Sequence, residues 1–89
     1  MKVEWAEEAL QDIEAHVAYL SQVNPFAAVE LAAALFSAGE SLSFMPYRGR
    51  QGRVPGTREL VVVYPYVIAY EAARNTVTVL RVWHGKLLT

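Results

Sequence analysis

The feature that most constrains the fold is a change of hydrophobic period halfway along the chain. Between Glu7 and Phe44 apolar residues recur at steps of three and four, whereas beyond Arg58 the chain is made of short runs dense in Val, Ile, Thr and Tyr. A helical first half followed by a β-rich second half does not fit the alternating strand and helix of a parallel α/β sheet, and predicts an α+β domain. In the first helix, predicted over residues 7–22, Leu10, Ile13, Val17 and Leu20 form one stripe, while Glu7, Glu8, Gln11, Asp12 and Glu14 take the other side. Asn24-Pro25 then breaks and restarts the helix, since Asn is a good N-cap and Pro is favoured in the first helical position. The second helix, predicted over 25–44, carries Leu31, Leu35, Ala38 and Leu42 on one stripe with Val29, Ala32 and Phe36 beside it, and Pro46 ends it. So short a connection makes the pair an antiparallel hairpin.

Around that hairpin the pattern has period two. Lys2-Val3-Glu4-Trp5 alternates as a half-buried strand does, and residues 58–63, 66–71 and 76–83 read as three more strands after a Pro, Gly and Arg-rich loop or irregular strand from Met45 to Gly56. The predicted order is β-α-α-β-β-β, a helical hairpin covering one face of a small antiparallel sheet, as one domain over residues 1–89. Its expected core is Leu10, Ile13, Val17, Leu20, Leu31, Leu35, Phe36, Leu42, Val62, Ile68 and Leu80.

Charge divides the chain at the same place as structure. The net charge is −1, yet residues 1–40 hold seven acidic side chains against Lys2, and residues 41–89 hold six arginines and Lys86 against Glu59 and Glu71. Arginine is suited to forked pairing with carboxylate or phosphate, so the basic half suggests an acidic peptide or a nucleic acid as partner, with a merely solvated face as the plain alternative. With no cysteine there is no disulfide framework and no thiolate metal site. The longest apolar runs fall far short of the ~20 residues of a membrane span, and the acidic start lacks the basic and apolar stretches of a secretory signal. A soluble cytoplasmic protein is expected.

Catalytic chemistry finds few carriers. His16 and His84 are the sole histidines and fit no metal-ligand spacing, Gly49, Gly52 and Gly56 precede strands and not a helix, and no serine lies in a strained Gly-x-Ser-x-Gly turn. No metal and no cofactor is expected. What remains is a basic group, Arg53, Arg58, Arg81, His84 and Lys86, joined by Glu59 and Tyr70. In a three-stranded meander Arg58 and Arg81 are expected to approach one another. Such a group can cradle phosphates, bind acidic side chains, assist attack of an RNA 2′-hydroxyl on its phosphate, or simply confer solubility.

Several segments in this order resemble the RelE/ParE superfamily of bacterial toxins: Val3-Glu4-Trp5 with Ala9-Leu10-Gln11-Asp12-Ile13, the Asn24-Pro25 break, Met45-Pro46-Tyr47-Arg48-Gly49-Arg50, Gly56-Thr57-Arg58-Glu59-Leu60, Tyr66-Val67-Ile68-Ala69-Tyr70 and Arg81-Val82-Trp83-His84-Gly85. The resemblance covers nearly the whole chain. It implies the toxin of a type II toxin–antitoxin pair. Members that cleave messenger RNA in the ribosome commonly place an arginine where this chain has Val67 and a tyrosine where it has Gly85. That departure favours the ParE-like branch, which poisons DNA gyrase by binding. The resemblance further implies an antitoxin, ribbon-helix-helix or a similar DNA-binding dimer, through which alone the complex meets operator DNA. Its C-terminal segment is expected in a groove beside the hairpin at Leu10, Ile13, Val17 and Leu35, possibly with an added strand. Arg53, Arg58, Arg81, His84 and Lys86 are expected to bind the target. The alternatives are a ribosome-dependent endoribonuclease using Arg58, Arg81 and His84, and an inactive co-repressor.

Overall fold

The computed structural model describes residues 1–85. Strand β1 (Lys2–Trp5) leads into helices α1 (Glu7–Val23) and α2 (Pro25–Ser41), followed by β2 (Arg50–Gln51), β3 (Arg58–Val61), β4 (Tyr66–Ala73) and β5 (Thr76–His84). The strands form one sheet in the order β1-β5-β4-β3-β2. The helical hairpin lies on one face of it. From β2 to β5 every pairing is antiparallel, but β1 runs parallel to β5, with Lys2 opposite Thr76 and Trp5 opposite Val79, so the sheet is mixed and not wholly antiparallel. The two-residue β2, in the segment expected as loop or irregular strand, adds a fifth strand.

Local chemistry explains the element ends. Asn24 Oδ1 accepts the Ala27 N–H at 3.1 Å, the N-cap expected ahead of Pro25. α1 has no side-chain cap, and its start is fixed instead by the Ala6 N–H donating to Val79 O at 2.9 Å. β4 and β5 are joined by the two-residue turn Arg74-Asn75, whose φ values of 54° and 62° are the paired positive angles of a type I′ hairpin. Both strands are therefore longer than the sequence suggested.

The core lies between hairpin and sheet. Ala9, Ile13, Leu31, Leu35 and Leu42 meet Leu60, Ile68, Tyr70, Val77, Val79 and Val82. Leu10 and Phe36, both expected there, are exposed at 42% and 40%, because each stands on the outer flank of its helix stripe. Leu80 is only half-buried for another reason. Ala69 pairs with Arg81 and Tyr70 with Val79, so Leu80 is the extra residue of a β-bulge, and strict alternation fails there. Val17, Leu20 and Val62 pack against the core while partly exposed. Gly39 lets α2 close onto β1, since a side chain there would occupy the space of the Trp5 ring. That ring lies 5.0 Å from the Phe36 ring and donates its Nε1–H to Glu40 at 3.1 Å.

Candidate functional site

The basic side chains expected to form one surface are dispersed by the sheet. Arg58 is opposite Tyr70 and shares its helix-side face, whereas Glu59, Val61, Val67 and Trp83 follow the alternate, open face through the pairs Glu59–Ala69, Val61–Val67 and Val67–Trp83. Arg81 does neither, because at the bulge it turns over the edge of β5 towards α1. Arg58 and Arg81 thus do not form a pair: β4 stands between their strands and each is held by different groups.

Arg81 is committed to Asp12. Its Nε and Nη2 donate to the two carboxylate oxygens at 2.7 and 3.0 Å, and the Val82 N–H donates to the same carboxylate at 2.9 Å. One turn on, the His16 Nε2–H donates to Val82 O at 2.9 Å. β1 ends at Trp5, opposite Val79, so the next stretch of β5 lacks a neighbouring strand; Asp12 and His16 from α1 supply the acceptor and donor that such a strand would give. Burial by itself raises the Asp12 pKa, but the hydrogen bonds from Arg81 and Val82 and the nearby positive charge outweigh it, and the carboxyl is held below its ordinary value. The Asp12 carboxylate correspondingly raises that of Arg81. Sequence reading placed Asp12 on a solvated acidic face; only the bulge and the end of β1 make it an edge cap.

On the open face the organising residue is Glu59, which is 4% exposed. Its carboxylate receives Arg50 Nη2 at 3.3 Å, Arg53 Nε at 3.3 Å and the Arg53 backbone N–H at 3.1 Å. Burial raises its pKa, and these donors and the two charges more than reverse that, leaving it lowered. Arg53 also lies over the Trp83 ring, 5.5 Å from its centroid. Beside this cluster a cleft of about 450 Å³ is lined by Arg50, Arg53, Val61, Tyr64, Val67 and Gly85, among others. Val67 and Gly85, the two positions at which the resemblance marks departures, therefore border the same cleft. The Gly85 N–H donates to Pro65 O at 2.6 Å, and a Cβ at this position would stand 2.9 Å from that oxygen.

His84 belongs to the other face. It pairs with Tyr66 across β4 and β5, their rings edge to face at 5.2 Å, and Tyr66 in turn meets His16 at 5.3 Å. The His84 Nδ1 is buried without a hydrogen-bond partner among the described residues. Lys86 lies outside the described residues. Of the expected groove, Ile13 and Leu35 are core residues at 3% and 0% exposure, and the apolar cleft that the hairpin does border is lined by none of Leu10, Ile13, Val17 or Leu35. It holds about 420 Å³ between Leu20, Ala27, Leu31 and Ala34 on the helices and Val63 and Tyr66 on the sheet, with Glu30 at its rim. This cleft lies at the end of the hairpin nearest the turn between β3 and β4, away from the residues expected to line the groove. Among the described residues no cluster of His, Asp and Glu is able to hold a metal, and no helix is long and apolar enough to cross a membrane.

Residues 3–87 match the family described as the ParE toxin of the type II toxin–antitoxin system parDE. The chain belongs to the ParE toxin family. It is 41% identical over 87 residues to Toxin RelE2 of Caulobacter vibrioides, covering 98% of both chains. It is also 36% identical over 85 residues to a putative toxin, Y4kP, of Sinorhizobium fredii, covering 94% of this chain and 88% of that one. In fold it is similar to a chain of a chromosomal ParDE system from P. aeruginosa, with a TM-score of 0.84 at 20% identity over 94% and 95% of the two chains. The two helices on a five-stranded sheet are thus those of a ParDE toxin, and this ParE-family chain is a type II toxin by family, matching the resemblance read from its sequence.

Proposed function

We propose that the chain acts by binding a protein target, DNA gyrase on the ParE-like reading, and that a cognate antitoxin neutralises it. The observation that carries this is the dispersal of its catalytic candidates. Acid–base cleavage of RNA needs a proton donor, a proton acceptor and a cation converging within about 3 Å of the reacting atoms. Here Arg58 points to the helix side, Arg81 is spent on Asp12, and His84 packs on Tyr66. The cleft that Val67 and Gly85 border has Arg50 and Arg53 already paired with Glu59.

The antitoxin reading is supported by surface left apolar. Besides the cleft between hairpin and sheet, Phe26 and Val29 on α2 are 85% and 71% exposed, an invitation to an amphipathic segment. Among the described residues β2 pairs only with Arg58 and Glu59, so the rest of the outer edge of β3 is available there for an added strand. The antitoxin in turn would provide the contact with operator DNA.

The test is direct. The purified chain is assayed for inhibition of gyrase supercoiling and for cleavage of messenger RNA on translating ribosomes, with expression-induced growth arrest measured in parallel. Gyrase inhibition with intact messenger RNA is expected. Codon-positioned cleavage refutes the reading in favour of an endoribonuclease, a function for which the Arg53–Trp83 stack beside the open cleft is the structural argument. A folded chain that does neither, yet binds its antitoxin, is a co-repressor.

A further inference from the structure

We infer that the cleft around Arg58 is a carboxylate-binding site, one that takes an acidic side chain or a chain-terminal carboxylate of a partner polypeptide. It lies on the helix side of the sheet, where Arg58 and Tyr70 share a face, and holds about 460 Å³ between Tyr47, Gln51, Pro55, Thr57, Arg58 and Ala72. The guanidinium is fixed in place. Its Nη1 donates to Gly49 O at 2.8 Å and to Tyr47 O at 3.3 Å, and its Cζ stands 5.1 Å from the centre of the Tyr47 ring.

What sets Arg58 apart is its charge. Arg50 and Arg53 are neutralised by Glu59, and Arg81 by Asp12, but Arg58 has no carboxylate within ion-pair reach among the described residues. Arg48 and Arg74 share that lack, yet both are exposed and neither lines this cleft. Carbonyl oxygens and a ring face orient a guanidinium without cancelling its formal charge. A guanidinium has five N–H donors, and among the described residues only those on Nη1 are engaged, so the Nε and Nη2 edge keeps the fork that matches the two oxygens of a carboxylate.

The surroundings select the class of anion. One cation, one neutral amide at Gln51, and walls made by Tyr47, Pro55 and Ala72 suit a single negative charge on an aliphatic stem. A phosphate dianion is better served by several cations and a nest of backbone N–H groups. Of the backbone donors in the lining, the Gly52 N–H is already given to Thr57 O at 2.8 Å and the Thr57 N–H to Val54 O at 3.1 Å. For its polypeptide partner the inference rests on the reading of a toxin held or targeted through protein contacts; for the ligand class it rests on Arg58 alone.

The full chain, isotopically labelled, is titrated with three peptides at neutral pH while the Arg58 Nε–H resonance and the amides of Gln51 and Gly52 are followed. The peptides are acetyl-Ala-Leu-Glu-Ala-amide, the same peptide with Gln for Glu, and acetyl-Ala-Leu-Gln-Ala with a free carboxyl end. Saturable shifts at these resonances are expected from a carboxylate-bearing peptide, at least tenfold weaker from the neutral one, and whichever acid wins identifies side chain or terminus as the source. Arg58→Gln is expected to remove the response. Gln51→Glu, an exposed change that leaves the fold in place, is expected to weaken it tenfold or more by competing for the guanidinium. Equal shifts from the neutral peptide, shifts centred on Arg53 and Trp83, or tighter binding of inorganic phosphate each overturn the site. A chain that fails this titration but still inhibits gyrase or binds its antitoxin loses the site and keeps the proposed function.

Discussion

Replacing Asp12 by alanine removes one carboxylate and three hydrogen bonds, and their inequality makes a sharp prediction. The two from Arg81 come from a side chain that is 49% exposed, so the ion pair is worth only the ~0.2–1 kcal/mol of a solvent-screened contact. The third differs, because the Val82 N–H belongs to a strand edge that β1 no longer covers, and leaving a part-buried donor unsatisfied costs about 1–3 kcal/mol. Asp12→Ala is therefore expected to destabilise the chain by about 2–3 kcal/mol, and Arg81→Ala by no more than about 1 kcal/mol. Asp12→Asn keeps an oxygen for Val82 and belongs near Arg81→Ala. In thermal melts a difference of about 1 kcal/mol separates variants by roughly 4–8 °C in a domain this small. Urea unfolding of the three proteins checks the order. If Asp12→Ala and Arg81→Ala cost the same, the carboxylate serves only the ion pair and the edge-cap argument is wrong.

Asp12 and Glu59 are both held below their ordinary pKa, so both contribute stability that is complete above the unfolded value near 4 and lost as pH falls through the folded one. Acid titration of the melting temperature is expected to show a decline setting in below about pH 4–5, shallower in Asp12→Asn; an unchanged slope in that variant contradicts the linkage. Glu59→Gln removes the counter-charge from Arg50 and Arg53, whose side chains are 64% and 49% exposed, and is expected to cost about 1–2 kcal/mol, with a change in Trp83 fluorescence as Arg53 leaves the ring; a silent fluorescence signal counts against the clamp. Gly39→Ala forces the Trp5 ring aside, and the strain of about 1–3 kcal/mol is expected to exceed the gain of about 1 kcal/mol in helix propensity, as a lowered urea midpoint. Arg74→Asn with Asn75→Gly suits both positive φ values of the turn and is expected to raise stability by about 1 kcal/mol.

The hairpin was legible because helical period, the Asn24-Pro25 cap and Pro46 are local signals, and local signals survive without knowledge of the neighbours. The long-range pairings were not. Nothing within Lys2–Trp5 says that its partner is β5 or that the pairing is parallel, since a parallel neighbour is chosen by the crossover of the intervening helices. The bulge at Leu80 was hidden for a related reason: Thr76 to Trp83 reads as plain alternation, and the slipped register becomes meaningful only once Asp12 is known to wait at the edge. Among site residues the chemistry of arginine was visible and its counter-charges were not. Asp12 looks like one more surface acid in one dimension, and Glu59 joins the basic group without an assigned partner, while in three dimensions the two absorb three of the arginines.

That absorption changes what the charge asymmetry means. Counted along the sequence, the second half is a strongly positive surface suited to an acidic peptide or a nucleic acid; folded, an acid from the first half and one from the second neutralise Arg81 and the Arg50–Arg53 pair in place. Binding to a polyanion draws its strength from many cations releasing counterions together, and each internally paired arginine must first break a contact before contributing. A protein partner needs no such field. It needs a few oriented donors beside apolar surface, and the structure offers these as Arg58 beside Tyr47 and as the cleft between hairpin and sheet. The same economy bears on catalysis, where a cation stabilises a developing charge only if its own neighbours do not already hold it. On both counts it is the distribution of carboxylates, more than the number of arginines, on which the proposed action through protein contacts rests.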